Sequence, residues 1–410
     1  MKQTHYLIIG GGIAGTTAAE TIRSHDKKNT VTIVSAEPLP LYSRISLSKE
    51  PFFLGKLTEE DIFIHTSSWY KKNSIALLYG ESVRSLDTDM QVATLSDGQR
   101  ISYTKLLLAT GGDAEKHEED TGLQAGVYYL RTLSDTKKIL SSIKNAKRAV
   151  IVGCGFISFE MCDLLRKKKV DTSAVYRRQR YFGHILDNTA SDITENALSS
   201  KDVSLYPDRT IRSFNGSGTI SSVTLSDGTM LEADMVICGL GSKTSTDLPS
   251  SANIECNSGI LVNEFLETSK DHVWSAGDSA EFYDTLLNDT HQLGNWGNAH
   301  MQGRAAGYNM THEIPKAYSM ITSYTSKGAG VILSFVGDVR SLQGRRVISR
   351  GPSQNSYGQI ITDGKVLKGA VLINLPHEIV PLSNLISKGS PFSTLSSALT
   401  DTSVDLKTLL

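Results

Sequence analysis

The chain has 410 residues, 39% hydrophobic and 21% charged, with a formal net charge of -1. That is too long for one ordinary core and predicts two or three domains, while the missing basic excess excludes nucleic acid as a general partner. No apolar run approaches the roughly 18 residues that span a bilayer, no signal-peptide pattern precedes the first strand, and Cys154, Cys162, Cys238 and Cys256 show neither CxxC nor metal-ligand spacing. The expectation is a cytoplasmic protein with no metal site and no membrane span.

A short apolar strand at residues 6–9 runs into Gly10-Gly11-Gly12-Ile13-Ala14-Gly15 and a helix over 14–24. In this context Gly10 makes a tight turn and Gly12 lets backbone approach a pyrophosphate. Ala14 and Gly15 open a helix whose free N–H groups and dipole favour phosphate. The next strand, 30–35, leads to Glu37, where a carboxylate can accept both hydroxyls of an adenosine ribose; a solvated loop acid is the plainer alternative. Residues 92–98 read as a strand entering an Asp97-Gly98 turn, and the strand 105–109 closes on Thr110-Gly111-Gly112.

The second half repeats this order. The strand 149–152 precedes Gly153-Cys154-Gly155-Phe156-Ile157-Ser158, a helix follows over 157–168, and a further strand ends near Val175. A hairpin at 223–228 and the strand 234–238 then close on Gly239-Leu240-Gly241. Ser158 replaces the third glycine of the fingerprint, a small departure expected to loosen the helix–strand approach. Two such loops suggest two bound dinucleotides. At the end of the second strand the chain reads Tyr176-Arg177-Arg178-Gln179-Arg180. An acid there would bond a ribose 2′-hydroxyl, whereas guanidiniums suit a 2′-phosphate, so the spacing favours NADPH over NADH, with a solvated basic loop as the alternative.

Residues 259–278 and a helix over 296–310 read as a return to the first domain. Beyond about 317, strands at 331–336, 346–349, 359–362 and 366–374 read as antiparallel, followed by a helix over 377–387 and a Ser/Thr-rich tail, either disordered or packed as a closing element. The predicted fold class is α/β: two Rossmann-like domains, the second inserted in the first, plus a C-terminal α+β domain. The expected boundaries are 1–115 with 242–316, then 116–241, then 317–410.

From residue 6 to about 388 the chain resembles the FAD-dependent pyridine nucleotide reductases, of the rubredoxin and ferredoxin reductase type and the flavin portion of NADH-dependent nitrite reductase. The residues that carry the likeness are Gly10 to Gly15, Tyr42-Ser43-Arg44 with Leu47-Ser48-Lys49, Ala109-Thr110-Gly111, Leu130-Arg131-Thr132, Gly153 through Glu160, Ala276-Gly277-Asp278 and Trp296 through Gly303. The resemblance implies FAD on the first loop, with Asp278 holding its ribityl and pyrophosphate part beside Gly277. Arg44 and Arg131 would shape the pocket, and Trp296 would lie at the helix aimed at the flavin pyrimidine edge. It implies that Lys49, paired with Glu160, tunes the flavin where hydride arrives. Gly153, Gly155, Phe156, Ile157, Tyr176, Arg177, Arg178 and Gly241 would hold NADPH or NADH.

The CxxxxC pair of the disulfide reductases is missing from 41–47, and Ser43 stands where single-cysteine relatives keep a nucleophile. Thiol–disulfide chemistry is therefore not expected. The implied activity is an NAD(P)H oxidoreductase that feeds an external rubredoxin or ferredoxin. An oxidase using oxygen or a quinone and a redox-responsive binding module stay open. Family members occur as monomers and dimers; a homodimer is the expectation here.

Overall fold

The computed structural model describes residues 1–122, 125–351 and 355–410. The chain divides into two compact units: Met1–Ser43, Glu59–Asp113 and Ser242–Met320 form the first, and Arg44–Thr58, Ala114–Gly241 and Ile321–Leu410 the second.

The first unit is built on a sheet with strand order Ile75–Tyr79, Val31–Ser35, Lys2–Ile9, Arg100–Leu108, Val92–Leu95, Val83–Asp87, and Val273–Ser275 also pairs with Arg100–Leu108. Its core strands pair in parallel. Val31–Ser35 is buried at every position, its Thr32 and Ser35 included, as a strand covered on both faces must be. Val273–Ser275 pairs in parallel with the end of Arg100–Leu108, which brings a late stretch of the chain onto the first unit's sheet. Helix Ile13–His25 packs on helix Trp296–Asn309 through small residues: a Cβ at Gly303 would lie 2.2 Å from the Ala14 carbonyl oxygen.

The second unit holds a five-stranded parallel sheet in the order Val203–Pro207, Asp171–Tyr176, Arg148–Val152, Met235–Cys238, Val127–Tyr129. Helix Phe156–Lys167 follows its central strand, and helix Leu133–Ile143 begins at a capping box between Thr132 and Asp135. The same unit carries an antiparallel sheet ordered Ser323–Gly328, Val331–Gly337, Leu367–Ile373, Tyr357–Thr362, Arg346–Arg350. Parallel Rossmann-like sheets with a separate antiparallel C-terminal sheet are the predicted fold class. Strand Ser323–Gly328 and helix Phe392–Thr400 escaped prediction, because serines and threonines dominate both.

The Ser/Thr-rich tail is a closing element. Leu395, Leu399 and Leu406 are buried, and so is Arg350, whose Nε meets the Glu378 carboxylate at 2.8 Å. The other nitrogens of that guanidinium donate to the carbonyls of Ala398, Leu399, Asp401 and Val404. The Glu378 carboxylate and these carbonyls offset the cost of burying the cation, which in turn fixes the segment that supplies them.

Candidate functional site

In the first unit the predicted residues gather around one glycine loop. Gly10 has φ +116, and a Cβ there would lie 2.0 Å from the Ala109 carbonyl oxygen, so only glycine fits the turn. Gly12, by contrast, faces no protein atom within 4 Å of a Cβ position. It is the N-cap of helix Ile13–His25 and offers no side-chain cap, so the first-turn N–H groups are free for a ligand. Gly277 (φ +86) approaches Ala14, and its N–H donates to Gln302 Oε1 at 2.8 Å. Gln302 Nε2 is left buried without a partner among the described residues.

Asp278 follows in a short 3-10 turn, its carbonyl accepting from Gln292 Nε2 at 2.8 Å and Thr244 Oγ1 at 3.1 Å. Tyr42 Oη donates to Glu37 Oε2 at 2.6 Å, which orients that carboxylate at the end of its strand. Thr110 is exposed and Gly111 has φ +70 just past the Arg100–Leu108 strand. Trp296 is 37% exposed and stacks on His300, with ring centroids 5.3 Å apart, so it is not core. An open glycine cradle, an uncapped helix and an orphaned buried amide suit a dinucleotide such as FAD.

In the second unit Glu160 is 3% exposed, in the second turn of helix Phe156–Lys167. Its Oε1 accepts from Lys49 Nζ and from Ser326 Oγ at 2.7 Å, and its Oε2 from Ser48 Oγ. The structure thus joins the two residues expected to tune the reaction and adds two serine partners, Ser48, seen in the sequence only as part of the family likeness, and Ser326, which sequence reasoning missed. Ser48 adjoins Lys49 in a 3-10 turn, Arg44–Ser48. Ser326 arrives from a strand 166 residues away in the chain, and no local pattern announces it. Arg44 Nη1 donates to the Arg131 carbonyl at 3.1 Å, linking the two arginines.

The second glycine loop mirrors the first. Gly153 has φ +114 with the Gly239 carbonyl oxygen 2.3 Å from a Cβ position, while Gly155 faces open space and leaves helix Phe156–Lys167 without a side-chain cap. Ser158 does not loosen the packing as expected. It is fully buried, with Oγ 3.3 Å from the Gly239 carbonyl, because Gly239 has no Cβ to oppose it. Phe156 joins a ring cluster with Phe182, Tyr324 and Phe335, centroids 5.0–5.1 Å away. Ile157 is half-buried and Gly241 (φ +112) meets nothing within 4 Å of a Cβ. Tyr176 is buried, whereas Arg177 and Arg178 are exposed.

All four cysteines are free. Burial pushes every thiol up, to about 12 for Cys162 and Cys238 and in the same direction for Cys154 and Cys256. A reactive thiol needs the opposite shift.

This geometry agrees with the comparisons. The family described as pyridine nucleotide-disulphide oxidoreductase matches residues 4–303, and the chain belongs to it: an enzyme family of FAD- and NAD(P)H-dependent oxidoreductases. The chain is 28% identical over 397 residues to nitrite reductase [NAD(P)H] of Bacillus subtilis (strain 168), covering 96% of this chain and 48% of the relative. It is 28% identical over 407 residues to the biphenyl dioxygenase system ferredoxin–NAD(+) reductase component of Paraburkholderia xenovorans (strain LB400), covering 98% and 97%. The chain spans about half or less of the length of the first curated relatives it matches. The reductase in the crystal structure of the covalent putidaredoxin reductase–putidaredoxin complex superposes with a TM-score of 0.93 at 26% identity, over 99% of this chain and 98% of that one. Among the described residues no helix is long and apolar enough to cross a membrane.

Proposed function

We propose that the chain takes hydride from NAD(P)H onto FAD and passes the electrons to a small redox protein of the rubredoxin or ferredoxin kind. The observation that carries this reading is Glu160, a buried carboxylate in the helix that opens at the second glycine loop, held by Lys49, Ser48 and Ser326. Bound FAD supplies the redox chemistry, accepting a two-electron hydride and releasing electrons singly. Lys49 provides a positive charge, and Glu160 with its two serines confines that ammonium to one position on an otherwise flexible stem. Glu37 would accept from the adenosine ribose hydroxyls, Asp278 and the first-loop backbone would hold the ribityl and pyrophosphate part, and Arg44 and Arg131 would shape the pocket.

The near full-length match to a ferredoxin–NAD(+) reductase component and the likeness to a reductase solved with its redox protein support a small protein acceptor. In this reading 1–115 with 242–316 carries FAD, 116–241 the nicotinamide nucleotide and 317–410 the C-terminal domain, and the protein works in the cytoplasm.

Anaerobic mixing of the flavin-loaded protein with NADPH or NADH, followed by flavin absorbance, tests the proposal. Rapid bleaching is expected, then fast reoxidation by an oxidised ferredoxin or rubredoxin and slow reoxidation by oxygen. If neither nucleotide bleaches the flavin, the reductase reading fails. Oxygen reacting as fast as the protein acceptor overturns the acceptor assignment alone.

A further inference from the structure

We propose that Arg177 and Arg178 form a clamp for the 2′-phosphate of NADPH, so that the second loop selects the phosphorylated nucleotide. The inference rests on the reductase reading and names the substrate of its nicotinamide site.

The main chain sets the equivalence of the two halves. Gly10 N–H donates to the Val34 carbonyl and Gly153 N–H to the Val175 carbonyl, each at 2.8 Å. Counting three residues onward from those carbonyls, Glu37 in the first half corresponds to Arg178 in the second. A charge reversal therefore stands where a carboxylate would receive a ribose 2′-hydroxyl. Arg177 occupies the preceding position, and Tyr176, the one before that, is buried. The Arg178 carbonyl is pinned by the Asp208 N–H at 3.0 Å, so the two guanidiniums leave from an ordered main chain.

The surrounding acids are already committed. Arg180 takes Glu195 through Nε at 3.1 Å and through Nη2 at 3.0 Å, and pairs with Asp192 as well. Glu195 also accepts from the Tyr181 N–H at 2.7 Å. Arg209 pairs with Asp227 at 2.6 Å. Among the described residues no carboxylate, Asp208 included, forms an ion pair with Arg177 or Arg178. Both lie close enough to Cys154 in the glycine loop to oppose the burial effect on its thiol, and both act, after burial, to lower the His184 pKa. The loop beside the second cradle thus presents two guanidiniums with no carboxylate partner among the described residues, and their charge reaches His184. Planar forks of this kind bind a phosphate monoester bidentately.

The test uses the flavin-loaded protein in two assays. Calorimetry with 2′,5′-ADP and 5′-AMP reads the phosphate directly, and kcat/KM with NADPH and NADH reads selectivity. At least about tenfold preference for each phosphorylated member is expected, with each of R177A and R178A lowering that preference about tenfold to a hundredfold, the range for a hydrogen bond to a charged group. R177K/R178K should keep part of it, as point charges without the fork. Equal binding of 2′,5′-ADP and 5′-AMP, or an NADPH-to-NADH ratio unmoved by the alanine variants, overturns the clamp while leaving the reductase intact. If no nucleotide bleaches the flavin, the reductase reading fails and the calorimetry still decides the clamp.

Discussion

The two glycine loops solve one packing problem with opposite placements of a side chain. In the first unit the third glycine, Gly15, would put a Cβ 2.0 Å from the Gly10 carbonyl oxygen, and the strand opposite is followed by Ala109. In the second unit the third position is Ser158 and the strand opposite is followed by Gly239, where a Cβ would lie 2.4 Å from Ser158 Oγ. In the second unit Ser158 fills the space that a Cβ on Gly239 would need, whereas in the first the Gly10 carbonyl closes the third position and the residue after the strand carries the Cβ. A missing fingerprint glycine therefore need not weaken such a loop, provided its opposite residue is read with it. The loops differ again one turn into the helix. Thr17 there bonds His300 at 3.1 Å, whereas its counterpart Glu160 buries a charge held by Lys49 and two serines.

The comparison breaks first at the contacts only glycine permits. G303A drives a Cβ to within 2.2 Å of the Ala14 carbonyl oxygen, between helices whose backbones cannot separate without disturbing the first cradle. We expect about 3 kcal/mol or more of destabilisation and loss of bound flavin, measured by denaturant unfolding and flavin content. Next comes the exchange itself. G239A should cost about 1–3 kcal/mol through its clash with Ser158. Adding S158G, which reproduces the first unit's arrangement, should recover most of that loss in a double-mutant cycle. Additive effects would show that the two positions do not share one space.

A smaller effect is expected at Ser326. S326A removes one of the donors on the buried Glu160 carboxylate, at a cost of about 1–2 kcal/mol, and should slow flavin reduction by NAD(P)H in stopped-flow more than S334A. Ser334 is also buried and lies on the neighbouring strand, where it bonds Thr325 at 3.0 Å rather than Glu160. Equal, negligible effects of the two substitutions on the reduction rate would remove Ser326 from the positioning of the Lys49–Glu160 pair.

What the sequence made legible were features with local signatures. The glycine loops, the parallel strands feeding them, Glu37 and the Arg177-Arg178 pair all announce themselves within a few residues. Lys49 and Glu160 were legible through the family likeness, but their partners were not. Ser326 is an ordinary serine until the strand Ser323–Gly328 packs beside helix Phe156–Lys167, a contact fixed only by the tertiary fold. The tail was undecided for the same reason: its order depends on Arg350, whose buried guanidinium gathers carbonyls from a segment roughly 50 residues downstream. Tyr176 and Trp296 show the same limit in opposite senses, since burial placed the tyrosine inside and left the tryptophan exposed.

The smallest effect should come from the middle position of each loop, Gly11 in the first and Cys154 in the second. A Cβ at Gly11 would meet Ser35 Oγ at 2.7 Å, whereas the second loop accommodates a thiol. That thiol feels the charge of two guanidiniums, Arg177 and Arg178, an influence that ordinarily lowers a cysteine pKa. Burial is the larger influence here and the net direction is upward. Less thiolate is therefore present at pH 8 than for a free cysteine of pKa about 8.5. Iodoacetamide should label Cys154 in the native protein more slowly than free cysteine, with the rate climbing only at higher pH, and unfolding should abolish the difference. A labelling midpoint below pH 8 would reverse the sign: the arginines would then outweigh burial, and the second loop would carry a nucleophile that the first cannot.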